Sequence, residues 1–128
     1  MRPQDIFEIC LQRVREYQAV ASGLGAIRPD ASAHGGPAKV GNIGAEYCAD
    51  FEVCGRRALE RWPPRFELFQ VYYIRGVPYR ATLKQLNIGS STFDYWSQEI
   101  KLRVGKELAK TDLFPPRRYK ERIHSDAI

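Results

Sequence analysis

An all-α fold follows from three features of the chain. Apolar residues recur at three- and four-residue steps through most of it. No stretch alternates apolar and polar residues for the length of a useful strand, and no internal repeat is visible. Pro63-Pro64, Gly76 and the "LFPPRRY" segment stand where the periodic stretches end. With 128 residues, 44% hydrophobic and 12% aromatic, the chain can bury a core as one domain or as a small domain with an arm.

The first periodic stretch, 5–21, carries Phe7, Cys10, Leu11, Val14, Tyr17 and Ala21 on one face and Arg13, Arg15 and Glu16 toward water. That spacing predicts an amphipathic helix. Residues 22–44 hold six glycines and two prolines, a composition that is entropically expensive to order and predicts a flexible loop. Helical spacing returns over 45–61 through Tyr47, Phe51, Cys54, Ala58 and Trp62, and the paired prolines stop it. "RFELFQVYYIR", 65–75, predicts an aromatic core helix closed by Gly76 as its C′ residue. Pro78 opens the next helix, which runs to Leu86. Asn87 tolerates a left-handed turn, Ile88 plugs it, and Ser90 or Ser91 is expected to cap a long helix over 91–110. "KERIHSDAI" reads as a frayed tail. The expected organisation is an N-terminal helical segment, 1–62, with its loop at 22–44, followed by a module over 63–128 with a basic tail.

Charge is unevenly spread. Residues 1–60 carry seven Lys and Arg against eight Asp and Glu, whereas 61–128 carry thirteen against seven. A basic half beside a near-neutral one points to a polyanionic partner, most often nucleic acid. The three cysteines form no CxxC pair and no disulfide framework. A zinc site from Cys48, Cys54 and His34 would need the glycine loop to fold back and lacks a fourth ligand, so the cysteines are expected to be small buried hydrophobes. No nucleophile, base and orienting group can be assembled, and neither enzymatic activity nor a cofactor is expected. The charged N-terminus has no apolar signal region, and no run of apolar residues reaches spanning length. A soluble cytoplasmic protein without a membrane partner is the expectation.

On a helical projection of 91–108, Phe93, Trp96, Ile100, Val104 and Leu108 form the stripe expected to face inward. The other face carries Ser91, Asp94, Tyr95, Gln98 and Lys101, with Ser90 and Thr92 at the helix start. Short polar groups there suit the base edges of a major groove, and free helix N-terminal N–H groups suit a phosphate. The pair of helices around "NIGSS" therefore reads as a helix-turn-helix.

"YYIRGVPYRATLKQLNIGSSTFDYWSQEIKLRVGKEL" resembles region four of bacterial sigma factors and the regulators that carry this module. Tyr72, Gly76, Tyr79, Leu86, Ile88, Thr92 and Phe93 fall where that pattern expects them. "RVGKELAK" and "LFPPRRY" are also similar to prophage-associated proteins with sigma-like helix-turn-helix ends. Leu83 stands where the pattern usually has alanine, Thr82 where it has an aliphatic residue, and Asp94 is an acid on the DNA face. The resemblance covers 65–119 and implies a transcription regulator binding double-stranded DNA. Ser90, Ser91, Thr92, Asp94, Tyr95 and Gln98 are the expected base contacts. Arg80, Lys84, Lys101, Arg103, Lys106, Arg117 and Arg118 are the expected phosphate contacts. The N-terminal helices would brace the module, form a homodimer or contact RNA polymerase. Two alternatives stay open: a protein-interaction module that docks on RNA polymerase or another regulator, and a DNA-binding subunit of a phage packaging machine.

Overall fold

The computed structural model describes residues 1–21 and 36–116, with the backbone path alone for 36–42. It is all-helical, and the described residues contain no strand. Helix α1 spans Pro3–Ala19, α2 Gly36–Leu59 and α3 Pro63–Leu68, which continues as a π-helical turn over Phe69–Ile74. Helix α4 spans Tyr79–Leu86 and α5 spans Ser90–Leu108. Among the described residues no helix is long and apolar enough to cross a membrane.

Helix α1 begins two residues earlier than its apolar spacing predicts. Pro3 occupies its first turn, where a missing N–H costs nothing, and the Asp5 carboxylate accepts from the Arg2 backbone N–H at 3.3 Å. It buries Ile6, Phe7, Cys10 and Val14. Helix α2 corrects the predicted loop. It starts at Gly36, so 36–44 are helical despite their glycines, while 22–35 lie outside the described residues. Packing overrides propensity there: Gly44 is buried against the Tyr17 ring, where a Cβ would come within 2.7 Å of Tyr17 Cδ1. Further along α2, Tyr47, Phe51, Cys54 and Leu59 are buried; Leu59 takes the position that spacing gave to Ala58 and Trp62.

The aromatic helix predicted over 65–75 is also different in kind. Its second half widens, with the Arg75 N–H donating to the Gln70 carbonyl at 2.9 Å, an i→i−5 bond. Gly76 then closes it at φ 71°, as its C′ role requires. The widened turn carries Phe69, Val71 and Tyr73 into the interior. Phe7 lies edge-on to Tyr73 at 5.1 Å and tilted to Phe51 at 5.8 Å, and Phe51 stacks on Phe69 at 5.7 Å. Such ring pairs add about 0.5–1.5 kcal/mol each beyond their burial.

Helix α5 runs through the middle of this core. Ile100, Val104 and Leu108 are fully buried, and α1 and α2 both pack along them. One hydrophobic cluster thus spans both sides of the division expected at residue 62. At Gly105 the backbone of α1's first turn lies directly on α5, and an added Cβ would collide with the Pro3 carbonyl. Of the three thiols, Cys10 and Cys54 are buried and Cys48 is half-buried. Burial pushes the Cys10 and Cys54 thiols up to about 11. The Cys10 thiol and the Tyr47 hydroxyl both donate to the Leu113 carbonyl, at 3.5 and 2.8 Å.

Gly105→Ala tests the crossing. Helix propensity alone favours alanine by about 1 kcal/mol. A collision with main-chain atoms costs about 1–3 kcal/mol through displacement of α1. A net loss of stability in chemical denaturation is expected; a net gain would show that α1 yields without cost.

Candidate nucleic-acid interface

The turn between α4 and α5 is short because Asn87 takes the left-handed conformation, φ 55° and ψ 50°. Its N–H donates to the Lys84 carbonyl at 3.3 Å, and the Ile88 N–H donates to the Leu83 carbonyl at 3.0 Å. These bonds satisfy the last carbonyls of α4 and turn the chain sharply. Gly89, and neither Ser90 nor Ser91, occupies the N-cap of α5, and no side chain caps the helix. Both serines are instead its first residues and are exposed. The start of α5 therefore keeps its backbone donors free of side-chain caps, the arrangement that favours an anion.

The two helices meet through aromatic edges. Phe93 meets Tyr79 and Tyr72 in T-shaped pairs, with ring centroids 4.8 and 4.9 Å apart. Thr82 fits where an aliphatic residue was expected because its hydroxyl is satisfied: it is fully buried and donates to the Val77 carbonyl at 3.1 Å. Leu83, Leu86 and Ile88 pack against the edge of the core. Trp96 departs from the predicted inward stripe. It is only half-buried, with the Arg65 guanidinium 5.3 Å above its ring, and Ser97 takes the interior position. Ser97 bonds the buried Tyr73 hydroxyl at 2.8 Å, a polar requirement that apolar spacing cannot register.

Of the expected base contacts, Ser90, Ser91, Asp94, Tyr95 and Gln98 are exposed and Thr92 is half-buried. Tyr95 is the most open of them, 61% exposed. Of the expected phosphate contacts, Arg80, Lys84 and Lys106 are exposed. Lys101 and Arg103 have partners within the chain. Lys101 Nζ lies 2.8 Å from Glu8 on α1, whose carboxylate strengthens its hold on the proton against the effect of burial. Arg103 lies over the Trp62 ring at 3.8 Å, with its Nε 3.3 Å from Glu99. Arg117 and Arg118 lie outside the described residues. An open cleft of about 830 Å³ runs beside this face, with Asp94, Gln98 and Lys101 on one wall and Glu8, Arg15 and Tyr79 among its other lining residues.

Glu99 is the hub that periodicity did not reveal. Its Oε1 accepts from Arg65 Nη2 and Nε at 3.0 and 3.2 Å, and its Oε2 from Arg103. Burial opposes its ionisation, but the hydrogen bond and charge of Arg65, helped by Tyr95 and Arg103, hold the carboxyl below the usual range. The i,i+4 spacing of Glu99 and Arg103 was visible in the sequence; the Arg65 arm is a long-range pairing that was not. No metal-holding cluster of His, Cys, Asp or Glu occurs among the described residues.

Compared with protein-family models, curated proteins and solved structures, the chain matches none.

A depressed folded-state pKa adds stability that is present at neutral pH. That stability is lost as pH falls from the unfolded value of about 4.3 through the folded one. Glu99→Gln should therefore lower Tm more at pH 7 than at pH 3, flattening the acid limb of the stability profile. Equal losses at both pH values in thermal unfolding would show that the carboxylate's charge contributes nothing.

Proposed function

We propose that the chain is a DNA-binding transcription regulator that lays the first half of α5 in a major groove. The observation that carries this reading is the exposed row of Ser91, Asp94, Tyr95 and Gln98. It begins at an uncapped helix start directly after a sharp turn. In this reading Gln98 pairs with an adenine edge, Asp94 accepts from a cytosine amino group, and the serines reach bases near the helix start. Arg80 and Lys84 on α4, with Lys106, hold phosphates and fix the register without reading sequence. Lys101 and Arg103 take a different part from the one their charge implied: their partners Glu8 and Glu99 are within the chain, so they brace α5 for the residues that read.

Two charged residues engaged inside the fold also favour a second reading, an interaction module that presents Tyr79, Tyr95 and the polar row to RNA polymerase or another regulator. Affinity governed by phosphate contacts falls steeply with salt, whereas docking on an apolar protein surface is nearly indifferent.

Selection from random duplex DNA followed by titration separates the readings. Gln98→Ala should cost about 1–3 kcal/mol on the selected site and relax its sequence. Lys84→Ala should weaken all duplexes alike and reduce the salt slope by about one. If neither substitution changes binding at low salt, or selection enriches nothing, α5 is not a reader and the interaction module takes its place.

A further inference from the structure

A second basic surface lies away from the polar row. The last turn of α2 and the residues after it meet the second half of α5 around a groove of about 330 Å³. Its walls carry Arg57, Arg61, Lys106 and Lys110, and its floor is Trp62 with Arg103 stacked on it. Glu60 and Glu107 also line it, so four rim cations, besides the Arg103 that Glu99 already pairs, stand against two carboxylates. Arg57, Arg61, Lys106 and Lys110 are all exposed. Lys110 has Glu107 at 3.9 Å, but no carboxylate among the described residues lies within 4.0 Å of Arg57, Arg61 or Lys106. Elsewhere on the same helix the chain neutralises its cations: Lys101 has Glu8, and Arg103 has Glu99. Three cations without an ion pair thus converge on one concavity, and Glu60 and Glu107 offset their repulsion only in part.

We propose that this groove grips the sugar–phosphate backbone of duplex DNA, as a second anchor beyond the groove-reading row. The proposal rests on the DNA-binding reading above. Tyr95 and Lys106 project from nearly the same side of α5, eleven residues and so about 16 Å apart at 1.5 Å per residue. That span compares with the roughly 12 Å width of the major groove plus the reach of a lysine. A strand flanking the groove entered by Tyr95 can therefore pass Lys106 and Arg61. Glu99, which lies between them on that side, is held between Arg65 and Arg103 and does not repel the strand. The grip is independent of sequence, because in this placement the rim's arginine and lysine side chains meet phosphates and not base edges.

The test is the full chain with Arg57→Gln, Arg61→Gln and Lys106→Gln singly and together, titrated against a selected and a scrambled duplex over a range of salt. All three side chains are exposed, so each variant should keep at least the Tm of the intact chain, with relief of the mutual repulsion acting to raise it. The triple variant should flatten the slope of log affinity against log salt by about 2.7, close to 0.9 per lost contact. It should do so equally on both duplexes. Arg13→Gln on α1, a matched loss of charge, should change the slope by less than Arg61→Gln. An unchanged slope in the triple variant, with Lys84→Ala still reducing it, would overturn the second anchor and leave the regulator reading standing. If the intact chain binds no duplex at low salt, both readings fall; if the groove variants lose binding only to polyglutamate and not to duplex, the second anchor alone falls. An Arg13→Gln effect as large as that of Arg61→Gln would also overturn the proposal, because net charge and not the groove would then be responsible.

Discussion

The fold depends on how closely α1 can lie on α5. Gly105 lets the backbone of α1's first turn lie directly against the α5 backbone, and from that contact α1 buries Ile6, Phe7, Cys10 and Val14. A single methyl at this point would lift α1 and open the seam that Phe7 closes against Tyr73 and Phe51. Helix α5 is thereby shared. Its second half is the spine of the whole domain, while its first half packs one face inward through Phe93 and Ser97 and keeps its polar row in solvent. A surface that must present side chains at fixed spacing gains from this, since the rigid half holds the exposed half in place.

Helix existence and type were legible because tertiary packing here agrees with local pattern. Asn87 and Gly76 adopt the left-handed conformations their residue types suit. Pro63-Pro64, expected to stop α2, instead open α3 as its first residues, α2 having ended at Leu59. The boundaries and details that were not legible each involve a partner far away in sequence. Glycine content argued for a loop through residue 44, but the Tyr17 ring needs a side chain-free surface and Gly44 supplies it within a helix. Spacing put Trp96 inside, but the buried Tyr73 hydroxyl needs a hydrogen-bond partner, and Ser97 can serve as either donor or acceptor where an indole only donates. The π-helical widening after Leu68 has no signal in apolar periodicity at all.

The candidate interface was legible as composition and only partly as geometry. The excess of basic residues after position 60 is real, and the exposed row on α5 contains most of the residues singled out for it. A count of charges cannot tell a cation that faces solvent from one that closes an ion pair, and α5 has both kinds a few residues apart. Lys101 and Arg103 are held by Glu8 and Glu99. Lys106, and the arginines at 57 and 61 in and beyond α2, are not. The arginines were missed because they fall on the other side of a boundary drawn from sequence, whereas the fold brings them beside α5.

The buried sulfurs carry a chemical consequence. A thiol whose pKa stands near 11 is ionised in roughly one molecule in ten thousand at pH 7, and the ionised form is the one that attacks disulfides and peroxides. Cys10 and Cys54 are thus withdrawn from redox chemistry twice over, by lack of access and by lack of nucleophile. Two of the chain's three thiols therefore behave as heavy methyl groups within the core.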